Sequence, residues 1–278
     1  MNVLSFSLIV CAASVLAGFL GSLTGLGGGV VIVPVLCLLF KVDLHYAIGA
    51  SLISVIATSS GAAAAYVREG FSNIRIGMFL EVATTTGALL GAYLTAKITA
   101  RWIGIVFGLV LLYSAWLSWR RKPDDKGSTE PDALAMKLNL RGGYPVAGRR
   151  EEYVAQHVPA GFGIMFLAGA LSGLLGIGSG AVKVLAMDHV MRLPFKVSTT
   201  TSNFMIGVTA AASAGLYLSH GYILPELAMP VMLGVLAGSL AGSRLLVNAH
   251  VKSLRLVFSI VIIALGGEMI YSGVAGRL

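Results

Sequence analysis

Apolar runs and polar breaks alternate along this chain in an order that occurs twice. Mostly apolar runs fall at about 3–24, 29–40, 46–67, 74–96 and 102–119; a polar stretch covers about 120–158; five more runs follow at about 159–175, 181–191, 197–218, 224–247 and 254–273. The longer runs are about 20 residues and nearly charge-free, which at 1.5 Å rise per residue matches the roughly 30 Å hydrocarbon core of a bilayer. They predict membrane helices, because an isolated strand cannot satisfy its backbone in lipid and the short alternating segments of a β-barrel are absent.

The second run of each set is short, and a glycine break precedes it: Gly25-Leu26-Gly27-Gly28-Gly29 in the first set, Gly176-Ile177-Gly178-Ser179-Gly180 in the second. The breaks lie 151 residues apart, and at that offset residues 17–107 align with 168–258 without a gap. Gly18 then matches Gly169, Ser51 Ser202, Thr58 Thr209, Tyr66 Tyr217, Gly70 Gly221, Gly87 Gly238 and Gly91 Gly242. Such register over loops and helices alike is the mark of an internal duplication.

Charge sets the orientation. The stretch at about 120–158 carries Arg120, Arg121, Lys122, Lys126, Lys137, Arg141, Arg149 and Arg150, so the positive-inside rule places it in the cytoplasm. Its prolines and glycines predict an inter-repeat linker more than a folded domain. Working outward, Arg68, Arg75, Arg192, Lys196, Lys252 and Arg255 also fall inside, whereas Lys41, Lys97, Arg101 and Arg277 fall outside. The first half thus starts outside and the second inside. The prediction is an all-α polytopic membrane protein of two inverted repeats, 1–119 and 159–278, joined by the linker 120–158. Each repeat has a glycine-broken short helix or re-entrant hairpin plus three spans, giving 8–10 membrane segments and an extracytoplasmic N-terminus.

Composition agrees: only 12% of residues are charged, against roughly 25% in an ordinary globular domain. The net charge of +8 follows from topology, so no nucleic-acid partner is expected; the lipid bilayer is the surrounding partner. Cys11 and Cys37 lie inside apolar runs without Cys-x-x-Cys spacing, and Asp188 and His189 have no second ligand pair, so neither a disulfide framework nor a metal is expected. His45, His157, His189, His220 and His250 are scattered mostly in loops and converge on no nucleophile; no enzyme activity and no cofactor is expected.

Backbone broken at membrane depth is tolerated where it lines a cavity or is buried in protein, and paired breaks in corresponding places of two halves point to a transport site. Gly27, Gly28 and Gly29, with Gly178, Ser179 and Gly180, each present a helix N-terminus favourable to a small anionic substrate; the competing explanation is close helix packing, as at Gly87 and Gly91. No Gly-Lys-Ser/Thr follows, so these are not phosphate loops. Lys183, in the first turn after the second break, stands opposite Ile32 in the duplication and supplies either a charge for the substrate or one arm of a salt bridge. Glu81, opposite Met232, is either a carboxylate for a coupling proton or that lysine's counter-ion. Ser51, Ser202 and Asn203 open the third runs, where they either ligate an anion or make capping and interhelical hydrogen bonds. Arg244 is expected to snorkel and Glu268 to be structural.

The motifs GFLGSLTGLGGG at 18–29, Val33-Pro34, GASL at 49–52, SGLLGIGSG at 172–180 and Thr201-Ser202-Asn203-Phe204 resemble those of the sulfite exporter TauE/SafE family of bacterial membrane permeases. The resemblance spans both halves. It implies a multi-pass secondary transporter of the bacterial plasma membrane, handling sulfur-containing anions such as sulfite or organosulfonates by alternating access with a coupling proton or ion. The alternative is an anion channel or intramembrane sensor. Two departures stand out: Ser179 replaces a glycine usual in the second motif, and Leu185 stands where the first half has Pro34.

Overall fold

The computed structural model describes residues 3–22, 29–68, 72–120, 132–146, 149–246 and 251–277. Each apolar run is a helix there: α1 (Val3–Ser22), α2 (Gly29–Leu38), α3 (Leu44–Arg68), α4 (Ile74–Thr95) and α5 (Ala100–Arg120) in the first half. The stretch between the halves holds α6 (Ala133–Lys137), β1 (Arg141–Val146) and β2 (Arg149–Val154). The second half comprises α7 (Val158–Leu175), α8 (Gly180–Leu185), α9 (Phe195–Ser219), α10 (Pro225–Leu246) and α11 (Val251–Val274). A π-helical turn, Ala186–Val190, extends α8.

The halves interleave. α1 packs on α10 and α4 on α7, so the first helix of each half lies against the fourth of the other; α3 packs on α9 and α5 on α11. Glycines set the approach. A Cβ at Gly169 would fall on the Thr84 carbonyl, and one at Gly18 on that of Val235, its counterpart at the 151-residue offset. Likewise Gly87 is pressed against the Phe166 carbonyl and Gly238 against that of Val15. Small residues are what let helix backbones meet where lipid supplies no hydrophobic drive. The connection after each short helix is also duplicated: Lys41 and Arg192 both have φ 52°, and Val42 N–H donates to Leu36 O (3.1 Å) as Leu193 N–H does to Met187 O (2.9 Å). α5 and α11 cross antiparallel, with Gly108 beside Gly266 and Ile270 and Gly273 beside Arg101 and Ile105.

Polarity is distributed as lipid requires. Leu89, Leu90 and Tyr93 of α4 and Trp102, Leu109, Tyr113 and Trp116 of α5 face outward, while Ser14, Ser51, Thr84, Ser172, Thr209 and Ser213 are buried. A water-soluble protein would not expose so many large apolar side chains. α4 and α7 are each long and apolar enough to cross a bilayer.

The structure is mostly helical, in keeping with an all-α membrane protein, and the stretch between the halves adds one short hairpin. β1 and β2 form an antiparallel hairpin in which Tyr144 faces Glu151 and Gly142 faces Tyr153. Alternation puts Tyr144 and Tyr153 on one face, where they join a core with Ile76, Leu80, Met165, Met191 and Met205. Two tyrosines spaced for opposite strands, rather than the overall Gly/Pro content, order this segment.

Candidate functional site

The second break is built from left-handed backbone. Gly176 ends α7 at φ 66°, Gly178 has φ 70°, and Ser179 immediately before α8 has φ 48°. Such angles strain a residue with a Cβ, so the serine at 179 is held by its surroundings: it is buried, its Oγ has no hydrogen-bond partner, and its carbonyl accepts from Lys183 N–H (3.0 Å). Of the first break, Gly29 opens α2, whereas Gly27 and Gly28 lie outside the described residues.

The two breaks adjoin. A Cβ at Gly29 would come 2.7 Å from Ser51 Oγ and 3.1 Å from the Gly176 carbonyl. Ser51 Oγ donates to that carbonyl across the halves (2.8 Å), and Ser202 Oγ donates to Gly180 O (3.3 Å). Both serines thus use their hydroxyl protons on backbone at the second break. Asn203 sits half-buried one residue further along α9.

Lys183 is fully buried on α8. Its Nζ donates to Thr209 Oγ1 at 2.6 Å, and Thr209 Oγ1 donates to Glu81 Oε1 at 2.7 Å. Thr85 Oγ1 also donates to Glu81 Oε1 (3.0 Å), while Glu81 Oε2, equally buried, has no partner. Lys183 and Glu81 are therefore joined through a hydroxyl and not by direct ion pairing. Three helices contribute: α8 the cation, α9 the hydroxyl, α4 the carboxylate. A buried charge requires compensation of this kind, and a buried oxygen without a partner marks a place where a proton, water or ligand belongs.

Thr209 was visible in the sequence only as the duplicate of Thr58; its bridging position depends on α9 passing between α4 and α8. Arg244 lies on α10, and nothing about its side chain is described. Glu268 accepts from Ser272 Oγ (3.4 Å) within α11, apart from this cluster. Among the described residues no group of three or more His, Cys, Asp or Glu side chains is placed to hold a metal.

A second polar knot lies where α4 begins. The Asn73 side-chain oxygen caps α4 by accepting from Ile76 N–H (3.0 Å), its amide group donates to Tyr153 Oη (2.9 Å) and Arg141 O (3.3 Å), and its backbone N–H donates to Thr201 Oγ1 (3.0 Å). Burial pushes the Tyr153 phenol above its ordinary pKa, the Asn73 hydrogen bond acting in the opposite direction.

Sequence comparison places this architecture among known proteins. The chain is 29% identical over 281 residues to the probable membrane transporter protein YunE of Bacillus subtilis, covering 98% of this chain and 99% of that one. It is 27% identical over 269 residues to a probable membrane transporter protein of Xylella fastidiosa, covering 95% of each. The probable membrane transporter protein YdhB of Bacillus subtilis is 26% identical over 238 residues, covering 85% of this chain and 87% of that one. No solved structure matches. The profile of the sulfite exporter TauE/SafE family matches residues 10–269, nearly the whole membrane portion, and the chain belongs to that family of membrane transporters.

Proposed function

We propose that this protein is a secondary transporter that carries a small sulfur-containing oxyanion, of the sulfite or organosulfonate class, across the bacterial plasma membrane by alternating access. The observation that carries the reading is the buried Lys183–Thr209–Glu81 path beside the second glycine break. A desolvated ammonium is the group an oxyanion needs once it leaves water, and Lys183 is freed for it when the anion displaces Thr209. Glu81 then loses its cationic counterpart, and a proton on Oε2 restores neutrality, so anion and proton move together. Gly29, which opens α2, and Gly178, Ser179 and Gly180, which lead into α8, supply helix N-termini on either side, with Gly27 and Gly28 preceding Gly29 in the sequence. Ser51, Ser202 and Asn203 supply hydroxyls and an amide that exchange backbone partners for the substrate.

Two inverted repeats suit alternating access, since the two-fold exchange of their packing converts one open side into the other. The antiparallel crossing of α5 and α11, equivalent helices of the two halves, supports inversion. The basic residues around the hairpin support a cytoplasmic linker. The name of the family supports sulfite, and the relatives' names support membrane transport.

The test is flux of radiolabelled sulfite, sulfate and taurine in proteoliposomes, with and without a pH gradient, for the wild type, Lys183→Met and Glu81→Gln. Gradient-driven accumulation of a sulfur oxyanion is expected in the wild type. Lys183→Met loses it, and Glu81→Gln keeps exchange while losing the response to the gradient. Flux indifferent to gradient and to Glu81→Gln would make the protein a channel; no flux of any anion would sink the transport reading.

A further inference from the structure

The outer face of the hairpin forms one wall of a cavity of about 840 Å³ whose lining has no part in the transport path. Strand alternation assigns its charge. With Tyr144 turned inward, Arg141, Arg150 and Glu152 share the opposite face, and Arg75 of α4 completes the lining with Met136 and Asn139. Arg150 lies across Gly143, where a Cβ would come 2.9 Å from its Nε, so the strand residue that would crowd the arginine is a glycine. Arg141 is oriented by its own hydrogen bond, Nε to Asn139 Oδ1 at 2.9 Å, from a residue in left-handed backbone. Three arginines, from α4, β1 and β2, thus line one concavity whose lining holds a single acid, Glu152.

From this we infer that the cavity is a binding site for a phosphate-bearing anion, and that its occupancy is felt at the start of α4. Guanidinium forks match phosphate oxygens in pairs, and three of them exceed what one glutamate neutralises. The route to α4 is Asn73. It holds Arg141 O and Tyr153 Oη, both parts of the cavity wall, and with the same side chain caps α4, the helix that carries Glu81. Gly142 leaves room for this contact, since a Cβ there would stand 2.6 Å from Asn73 Nδ2. A ligand that draws Arg141 and Arg150 together firms the hairpin against Asn73 and so firms the first turn of α4. The phosphate can belong to a soluble solute or to the headgroup of a neighbouring lipid; only the cytosolic side of the soluble source rests on the orientation proposed above.

Binding is measured with inorganic pyrophosphate on the full chain in phosphatidylcholine nanodiscs, so no transport readout is involved. The wild type should bind saturably. Arg141→Ala and Arg150→Ala should each weaken binding about tenfold, the loss of one charge-assisted contact. Glu152→Gln should tighten it, and Lys196→Ala, an exposed basic residue at the α9 start outside the cavity, should leave it unchanged. Competition when phosphatidylglycerol is added to the discs assigns the site to a headgroup; its absence assigns it to a solute. Hydrogen exchange reads the coupling: pyrophosphate should slow the Ile76 and Gly77 amides in the wild type but not in Asn73→Ala, which still binds. Absence of saturable binding, or equal weakening by Lys196→Ala, overturns the site. Binding without a change at Ile76 and Gly77 overturns its link to α4.

Discussion

The two glycine breaks share a sequence plan, and Gly29 of the first adjoins Gly176 of the second, yet only the second has a lysine beside it. Beside the second stand Lys183, Thr209 and the Glu81 contributed by α4; at the corresponding places of the first stand Ile32, Thr58 and Met232. Ile32 is as fully buried as Lys183, so the lysine occupies a position that the duplicated fold fills with hydrocarbon. Thr58 Oγ1 bonds Ser54 O (3.0 Å) and Val55 O (3.2 Å) on its own helix; Thr209 Oγ1 likewise lies 2.9 Å from Met205 O but in addition meets Lys183 of α8 and Glu81 of α4. Duplication set the plan of both halves, and one charged substitution in each, Glu81 in the first and Lys183 in the second, set the chemistry.

Giving the charged positions the residues of their duplicates breaks the comparison most severely. Lys183→Ile copies Ile32 and leaves Glu81 buried without its cationic counterpart, at a cost of about 3–5 kcal/mol in stability. Lys183→Ile with Glu81→Met gives each position the residue of its duplicate, Ile32 and Met232, and should recover most of that stability in detergent melting while transport stays lost. A neutral single variant would show that the path holds no charge.

Next come the duplicated helix contacts. Gly169→Ala and Gly18→Ala place a methyl on the Thr84 and Val235 carbonyls respectively, and each should cost about 1–3 kcal/mol by the same melting measurement. Unequal losses would show that the two packing interfaces, alike in register, differ in how far they can yield.

Smaller still is the effect of the bridging hydroxyl. Thr209→Val keeps the side-chain shape and leaves Lys183 and Glu81 without the group between them, for about 1–2 kcal/mol and a marked fall in flux. Thr58→Val should stay within about 0.5 kcal/mol, because its hydroxyl serves only carbonyls of its own helix. Similar losses from the two would erase the asymmetry. Least of all, Ser51→Ala should cost about 1 kcal/mol and Ser202→Ala less, following their 2.8 Å and 3.3 Å bonds, as read by melting midpoints.

Much of the fold was legible because its causes are local. Helix limits follow from where apolar residues stop, and the short segments ended within a few residues of expectation: α2 closes at Leu38, and α8 with its π turn closes at Val190. The hairpin was not legible, since its order comes from Tyr144 and Tyr153 meeting Ile76 and Leu80 far along the chain. Lys183 and Glu81 stood out singly as charges in apolar runs. Their pairing as counter-ions was one reading the sequence offered, but the hydroxyl that joins them was not legible, because Thr209 carries no signal of its own among helices rich in Ser and Thr.

By itself the sequence determined the membrane solvent, the helices and the duplication, since composition, run length and a constant 151-residue offset are properties of the chain written in a line. Tertiary structure alone decided which glycines meet which carbonyls, that Ser51 spends its proton on Gly176, and that α9 slips a threonine between a lysine and a glutamate. The physical reason is that hydrophobic patterning acts along one helix at a time, whereas a hydrogen bond at 2.6 Å depends on how three helices lie together. Thus the Gly25–Gly29 and Gly176–Gly180 breaks were visible as a pair, and the charge that separates them gained its partners only on folding.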